Sequence, residues 1–153
     1  MPMELEFSAK RFEDLSVYEL HDLLRLRTDI FVVEQACAYA EIDGRDPACI
    51  HILGRDVAGV VIAYARIIPP AESGRPHIGR VVVRKDMRGN GFARELILFT
   101  LATLFELYGS MRSELAAQAH LEKFYAGFGF KRIGGEYPWD GIPHVDMVRT
   151  ADR

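Results

Sequence analysis

The sequence predicts a single α/β domain built on one mixed, mostly antiparallel sheet of about seven strands, flanked by helices. Three observations carry that prediction. Short β-branched runs alternate with two long helical patterns and one short one, and no linker, repeat or low-complexity segment interrupts them. At 153 residues, with 49% hydrophobic and 27% charged, the chain has the composition of an ordinary globular domain able to bury a core.

The elements follow in order. Leu5 to Arg11 suits a first strand. Ser16 and Glu19 have capping-box spacing, and Leu20, Leu23, Leu24, Arg27, Ile30 and Phe31 recur at helical intervals, so a first helix is predicted from Val17 to about Glu34. Ala36 to Pro47, with Asp43-Gly44, reads as a loop long enough to shape a pocket. Ile50–Gly54 and Val57–Ile67 flank Arg55-Asp56 as a hairpin, and the proline-rich stretch Pro69 to Pro76 is a turn. His77 to Val83 is the fourth strand. A long, largely buried helix carries Ala93, Leu96, Ile97, Thr100, Leu101, Leu104, Phe105 and Tyr108 on its apolar stripe. Glu114–Ala119 is a fifth strand, Leu121–Gly127 a short helix, Phe130–Gly134 a sixth strand and His144–Arg149 a seventh. Asp140-Gly141-Ile142-Pro143-His144 reads as a turn into that last strand.

Between the fourth strand and the long helix lies Arg88-Gly89-Asn90-Gly91-Phe92-Ala93. Glycines that accept positive φ at a helix start, where backbone N–H groups are unpaired and the dipole favours anions, make a pyrophosphate cradle. A nucleoside-triphosphate loop needs Gly-Lys followed by Ser or Thr, and here Phe92 follows Gly91. A dinucleotide fingerprint needs a third glycine, which is missing. The spacing instead resembles Arg/Gln-x-x-Gly-x-Gly/Ala, the signature of the GNAT superfamily of N-acetyltransferases, filled by Arg88, Gly91 and Ala93. Downstream, Gln118 to Phe130 resembles that superfamily's later motif, an aromatic-Tyr pair on a short helix and then Gly-Phe entering a strand. Phe31–Gln35, Asp43-Gly44, Ala63–Arg66, Ile78–Val81, Ala117–His120 and Asp140–His144 together are similar to its ElaA-like branch, over about Leu20 to Met147.

The resemblance implies direct acetyl transfer from acetyl-coenzyme A to a primary amine, with a sheet splayed at the coenzyme site. Backbone N–H groups from Arg88, Gly89, Asn90, Gly91, Phe92 and Ala93 would hold the pyrophosphate, and Arg84, Lys85, Arg88 or Arg94 the ribose phosphate. Val81, Val82 and Val83 would pair with the pantetheine arm, and a backbone N–H there would stabilise the oxyanion. Gln118, where many members carry Asn, and Phe124 also fall at the coenzyme site. Tyr125 is the expected general acid, since a phenol near ~10 stays protonated at neutral pH and can supply a departing thiolate near ~8.5.

The base is less readily read, because the strand before the cradle offers His77 and Arg80 where several members carry an acid. Glu34, Asp43, His51, His120 and His144 are substitutes, with Glu34 and His144 foremost. Arg27, Arg66 and Arg80 interrupt otherwise apolar elements, so each either pairs internally with Glu34, Asp43 or Glu136, or joins His144 in reading the acceptor.

The rest is exclusion. A net charge of −3 gives no general attraction to nucleic acid or anionic membrane. The opening Met1-Pro2-Met3-Glu4 lacks the apolar core of a leader and no window approaches a membrane span, which together predict a soluble, cytoplasmic protein. Cys37 and Cys49 suggest reduced thiols, and no metal is assigned. A monomer or homodimer acting on a small-molecule or peptide amine fits. The competing readings are a non-catalytic acyl-coenzyme A binding module or sensor, transfer through a cysteine nucleophile, and a structural interaction domain that binds no coenzyme A.

Overall fold

In the computed structural model, which describes residues 3–72 and 74–153, seven strands form one sheet in the order β1-β2-β3-β4-β5-β7-β6. Met1 and Pro2, at the start of the stretch read for a leader, and Ser73, in the proline-rich turn, lie outside the described residues. The strands are β1 (Glu6–Arg11), β2 (Ile50–Arg55), β3 (Val61–Ile68), β4 (His77–Val83), β5 (Ser113–Gln118), β6 (Lys131–Trp139) and β7 (Ile142–Arg149). The helices are α1 (Val17–Arg27), α2 (Phe92–Tyr108) and α3 (Glu122–Ala126). Every strand pair is antiparallel except β4 with β5.

Two apolar clusters cover the sheet. Leu96, Ile97, Leu101 and Leu104 of α2 pack with Ile52, Ile62, Ile67 and Ile78. Leu23 and Leu26 of α1 join Ile30, Leu53, Val61, Tyr64 and Val82. The near-continuous apolar run of β3 follows from burial along all but its last residue.

Four local differences from the sequence reading have physical causes. The first helix is α-helical only to Arg27. From Thr28 to Glu34 it widens, with the N–H of Gln35 bonding the Ile30 carbonyl and that of Cys37 the Val32 carbonyl, five residues back in each case. Thr28, Ile30, Val32 and Val33 are β-branched residues that crowd a tight α-helical turn. The second hairpin strand begins at Val61 rather than Val57, because the Asp56 carboxylate accepts the N–H groups of Ala58 and Val60, both at 2.9 Å, and forms a polar turn. β6 continues past Gly134 to Trp139, across a register shift between Ile133 and Tyr137. Its Pro138 is tolerated because β6 is an edge strand of the sheet. The final turn takes only Asp140 and Gly141, at φ 50 and 77, so β7 already starts at Ile142. Positive φ at both positions is the two-residue hairpin geometry, for which Asp-Gly is suited.

Candidate functional site

β4 and β5 share one register pair, His77 with Glu114, and then part. Beyond it the edge of β4 facing β5 has no strand neighbour, and a cleft of about 440 Å³ opens between them. Its lining comes from β4 (His77 to Val83), from β5 (Leu115 to Gln118), from Tyr125 and Phe124 of α3, from Phe31 and Glu34 of the widened helical turns, and from Trp139, Ile142 and His144 of the β6–β7 hairpin. Within β4 the register with β3 shifts between Tyr64 and Arg66, where Arg80 takes φ 52. That bulge re-aims the backbone beside the cleft.

At one mouth of the cleft the glycine turn leads into α2. Gly89 and Gly91 hold φ of 81 and 79, and a Cβ placed on either would meet nothing within 4 Å, so the turn faces open space. Gly91 is the N-cap of α2, and no side chain caps the helix. Its first N–H groups are therefore available to an anion, and the residues present fit a pyrophosphate. The cations nearby are less free than the sequence suggested. Arg88 gives a two-pronged ion pair to Glu34, at 2.8 and 2.7 Å, and Arg84 is paired with Asp86. Lys85 and Arg94 have no carboxylate partner among the described residues.

Tyr125 lines the cleft while almost fully buried, its ring edge-on to Phe124 and Phe130. Burial pushes its phenol above the ordinary 10. Gln118 ends β5 directly opposite His144 of β7, and both line the cleft. The His144 Nδ1 lies 2.7 Å from the carbonyl oxygen of Ile142. A carbonyl can only accept, so Nδ1 donates to it and Nε2 is the ring nitrogen left to take up a proton.

The other base substitutes are placed differently. Both oxygens of Glu34 are held by Arg88, whose hydrogen bonds keep the carboxyl below its usual range. That corrects the expectation of Glu34 as a base, since a carboxylate spent on a guanidinium has little affinity for a proton. His51 is buried away from the cleft between the Tyr64 hydroxyl and the Asp46 carbonyl. Asp43 is bound to Arg66, and His120 is exposed at the cleft's edge.

The three arginines are internal braces. Arg27 is wholly buried, donating from Nε to Glu41 and from Nη1 to Asp46, both at 2.8 Å. Arg66 holds Asp43 at 2.6 Å and Asp46 at 3.0 Å. Arg27 and Arg66 therefore do not reach an acceptor. Arg80 does line the cleft, but it pairs with Glu41 at 2.8 Å and with Asp43. Of the expected partners only Asp43 serves; Glu34 binds Arg88, and the exposed Glu136 lies on β6. Glu41, Asp46 and the cleft residues Phe31, Tyr39 and Trp139 were not singled out from sequence as parts of a site. The signal for the acids was present in Glu41, Asp43 and Asp46, three carboxylates in a short loop opposite three arginines in apolar surroundings.

Among the described residues no group of His, Cys, Asp or Glu side chains is arranged to hold a metal, and no helix is long and apolar enough to cross a membrane.

A seven-stranded sheet that parts beside an uncapped glycine turn is the architecture this chain shares with a solved acyl-CoA N-acyltransferase. The model of the acetyltransferase (GNAT) domain matches residues 30–151. ElaA of Escherichia coli is 40% identical over 96% of this chain and 97% of its own, and a UPF0039 protein of Schizosaccharomyces pombe is 44% identical over 94% and 95%. Among solved structures, an acyl-CoA N-acyltransferase from Pseudomonas aeruginosa superposes with a TM-score of 0.90 at 38% identity, covering 95% of this chain and 99% of that one. The crystal structure of E. coli ElaA gives 0.89 at 39%, with the same coverage. The chain belongs to the GNAT acyltransferase family, in its ElaA-like branch.

Proposed function

We propose that this protein is an N-acetyltransferase that moves an acetyl group directly from acetyl-coenzyme A to a primary amine. The observation that carries the reading is the continuity of the cleft. It runs between the parted strands, with Arg88 and Ala93 of the glycine turn, Tyr125 and His144 all on its wall.

Acetyl-coenzyme A would supply the activated acyl group as a thioester. The backbone from Arg88 to Ala93 would hold its pyrophosphate, and the open edge of β4 at Val81, Val82 and Val83 would bind the arm. Phe124 and Gln118 would border that arm, with Arg94 and Lys85 left to meet the ribose phosphate. A backbone N–H of the β4 bulge would stabilise negative charge on the acyl oxygen, a contact worth about 2.7–4 kcal/mol where such donors have been removed.

His144 would accept the amine proton at Nε2. An alkylamine near ~10.4 is neutral in only roughly one molecule in 2,500 at pH 7, so a base is needed. As the carbon–nitrogen bond forms and the carbon–sulfur bond breaks, Tyr125 would give its proton to the departing sulfur. The intracellular supply of coenzyme A thioesters suits a cytoplasmic protein.

Replacing Gly91 tests the cradle. Gly91→Glu forces an L residue into φ 79 and sets a carboxylate beside the phosphates. Calorimetric titration with acetyl-coenzyme A and with coenzyme A should show saturable binding to the native protein and about 100-fold weaker binding or none to the variant. Equal binding by both proteins refutes the cradle, and no binding by the folded native protein refutes the function.

His144→Gln tests the base. The rate at pH 7 should fall about 100-fold, within the range of general-base contributions. It should approach the native rate as pH rises toward the pKa of the amine, because the acceptor then arrives neutral. A constant ratio of the two rates from pH 7 to 10 assigns the proton transfer elsewhere.

A further inference from the structure

The acetyl-transfer reading leaves the acceptor's chemistry open, and the cleft wall beyond His144 narrows it. Phe31 and Tyr39, from the widened helical turns and the loop after them, line the cleft together with Trp139, Ile142 and His144 of the β6–β7 hairpin. The Cys37 sulfur lies 3.6 Å from the Asp140 carbonyl oxygen, which ties the loop carrying Tyr39 to the hairpin carrying Trp139. The Trp139 and His144 rings are 5.4 Å apart, centroid to centroid, and tilted at 53°, so two aromatic rings adjoin on the cleft wall.

The arginines on the wall are already matched. The arginines that line the cleft are Arg80 and Arg88. Both terminal nitrogens of Arg88 are on Glu34. Arg80 is held by Glu41 at 2.8 Å and by Asp43 at 3.5 Å, with its guanidinium over the Tyr39 ring at 5.6 Å. Glu41 and Asp43 are in turn fixed by the buried Arg27 and Arg66. An acceptor carboxylate would have to leave water without an uncommitted arginine to meet it, or displace an acid from a braced pair. An aromatic or aliphatic body loses nothing comparable against these rings, and an arriving ammonium is attracted by their faces.

Resting on the acetyl-transfer reading, we infer that the acceptor is a primary amine with an aromatic or apolar body and no carboxylate beside the amine, the chemistry of an arylalkylamine. The zwitterion of a free α-amino acid is the class this wall selects against.

The test compares 2-phenylethylamine with L-phenylalanine, which differ only in the carboxylate, by following thiol release from acetyl-coenzyme A with the full chain. Phenylalanine carries the weaker base, so the bias from amine ionisation runs against the inference. The value of kcat/KM should favour phenylethylamine by about 100-fold or more, as expected when a charge enters a site with no partner for it. Equal or better use of phenylalanine overturns the inference and leaves acetyl transfer standing. Binding of acetyl-coenzyme A without turnover of either amine overturns the inference and leaves acetyl transfer to another amine standing.

A second measurement separates the aromatic wall from the charge argument. Trp139 is 48% exposed on an edge strand, so Trp139→Ala leaves the core intact. KM for phenylethylamine should rise about 10-fold while KM for acetyl-coenzyme A stays unchanged. An unchanged amine KM removes the wall from acceptor recognition and overturns the inference.

Discussion

Tyr125→Phe is expected to lower kcat by about 100-fold or more while leaving the affinity for acetyl-coenzyme A within about twofold, since general acids contribute roughly 10²–10⁴ in rate. The substitution keeps the ring against Phe124 and Phe130 and removes only the hydroxyl. Its effect therefore reads chemistry rather than packing. Steady-state turnover paired with calorimetry checks it, and an unchanged kcat would favour the non-catalytic reading of Tyr125. The pH profile has a definite sign. Burial disfavours the phenolate and raises the folded pKa above the ordinary 10, so the proton-bearing form persists across the neutral and mildly alkaline range. Loss of activity through this group belongs above pH 10, later than a solvent-exposed tyrosine would give.

Glu41→Leu is expected to be the most destabilising of these substitutions. It strips one of two acids from Arg27, which is wholly buried and keeps only Asp46, and leaves Arg80 with Asp43 alone at 3.5 Å. Removing one partner of a buried ion pair costs about 3–5 kcal/mol because the other charge stays in a poor solvent. For a domain of this size that corresponds to a Tm lower by roughly 6–20 °C. Thermal unfolding followed by circular dichroism measures it, and a shift below about 2 °C would show that the network holds little of the fold.

The same network has an acid limb. Arg66 holds the Asp43 carboxyl well below its ordinary range, by hydrogen bonding first. For Asp46 burial pushes upward, and the Arg27 and Arg66 hydrogen bonds and charges more than offset it, so the net shift is down. A depressed folded pKa contributes stability that is complete above the unfolded value near ~3.9 and is lost as pH falls through the folded one. Native protein should thus lose stability progressively below about pH 4, and Glu41→Leu should already sit lower at neutral pH.

These braces explain why the acceptor end was harder to read than the donor end. The donor end depends on local chemistry: Gly89 and Gly91 must permit positive φ, α2 must start there, and Tyr125 must sit on α3 after β5. All of that is written in contiguous residues. The acceptor end depends on which charges meet. Arg27, Arg66 and Arg80 come from α1, β3 and β4, and their acids from one loop. Pairing across such separations leaves no periodic trace, so the sequence alone fits Glu34 as both a base and an arginine partner and does not single out Glu41 and Asp46.

By itself the sequence determined the order of elements, the glycine turn, the aromatic-Tyr helix and the family, because hydrophobic period and backbone stereochemistry act over a few residues. Only the tertiary structure decided that β4 and β5 part after a single pair, that Glu34 is spent on Arg88, and that Trp139 and Tyr39 face one cleft with His144. Those outcomes turn on strand register and on competition among distant charges for the same few partners, and both are resolved when the whole chain has closed around its core.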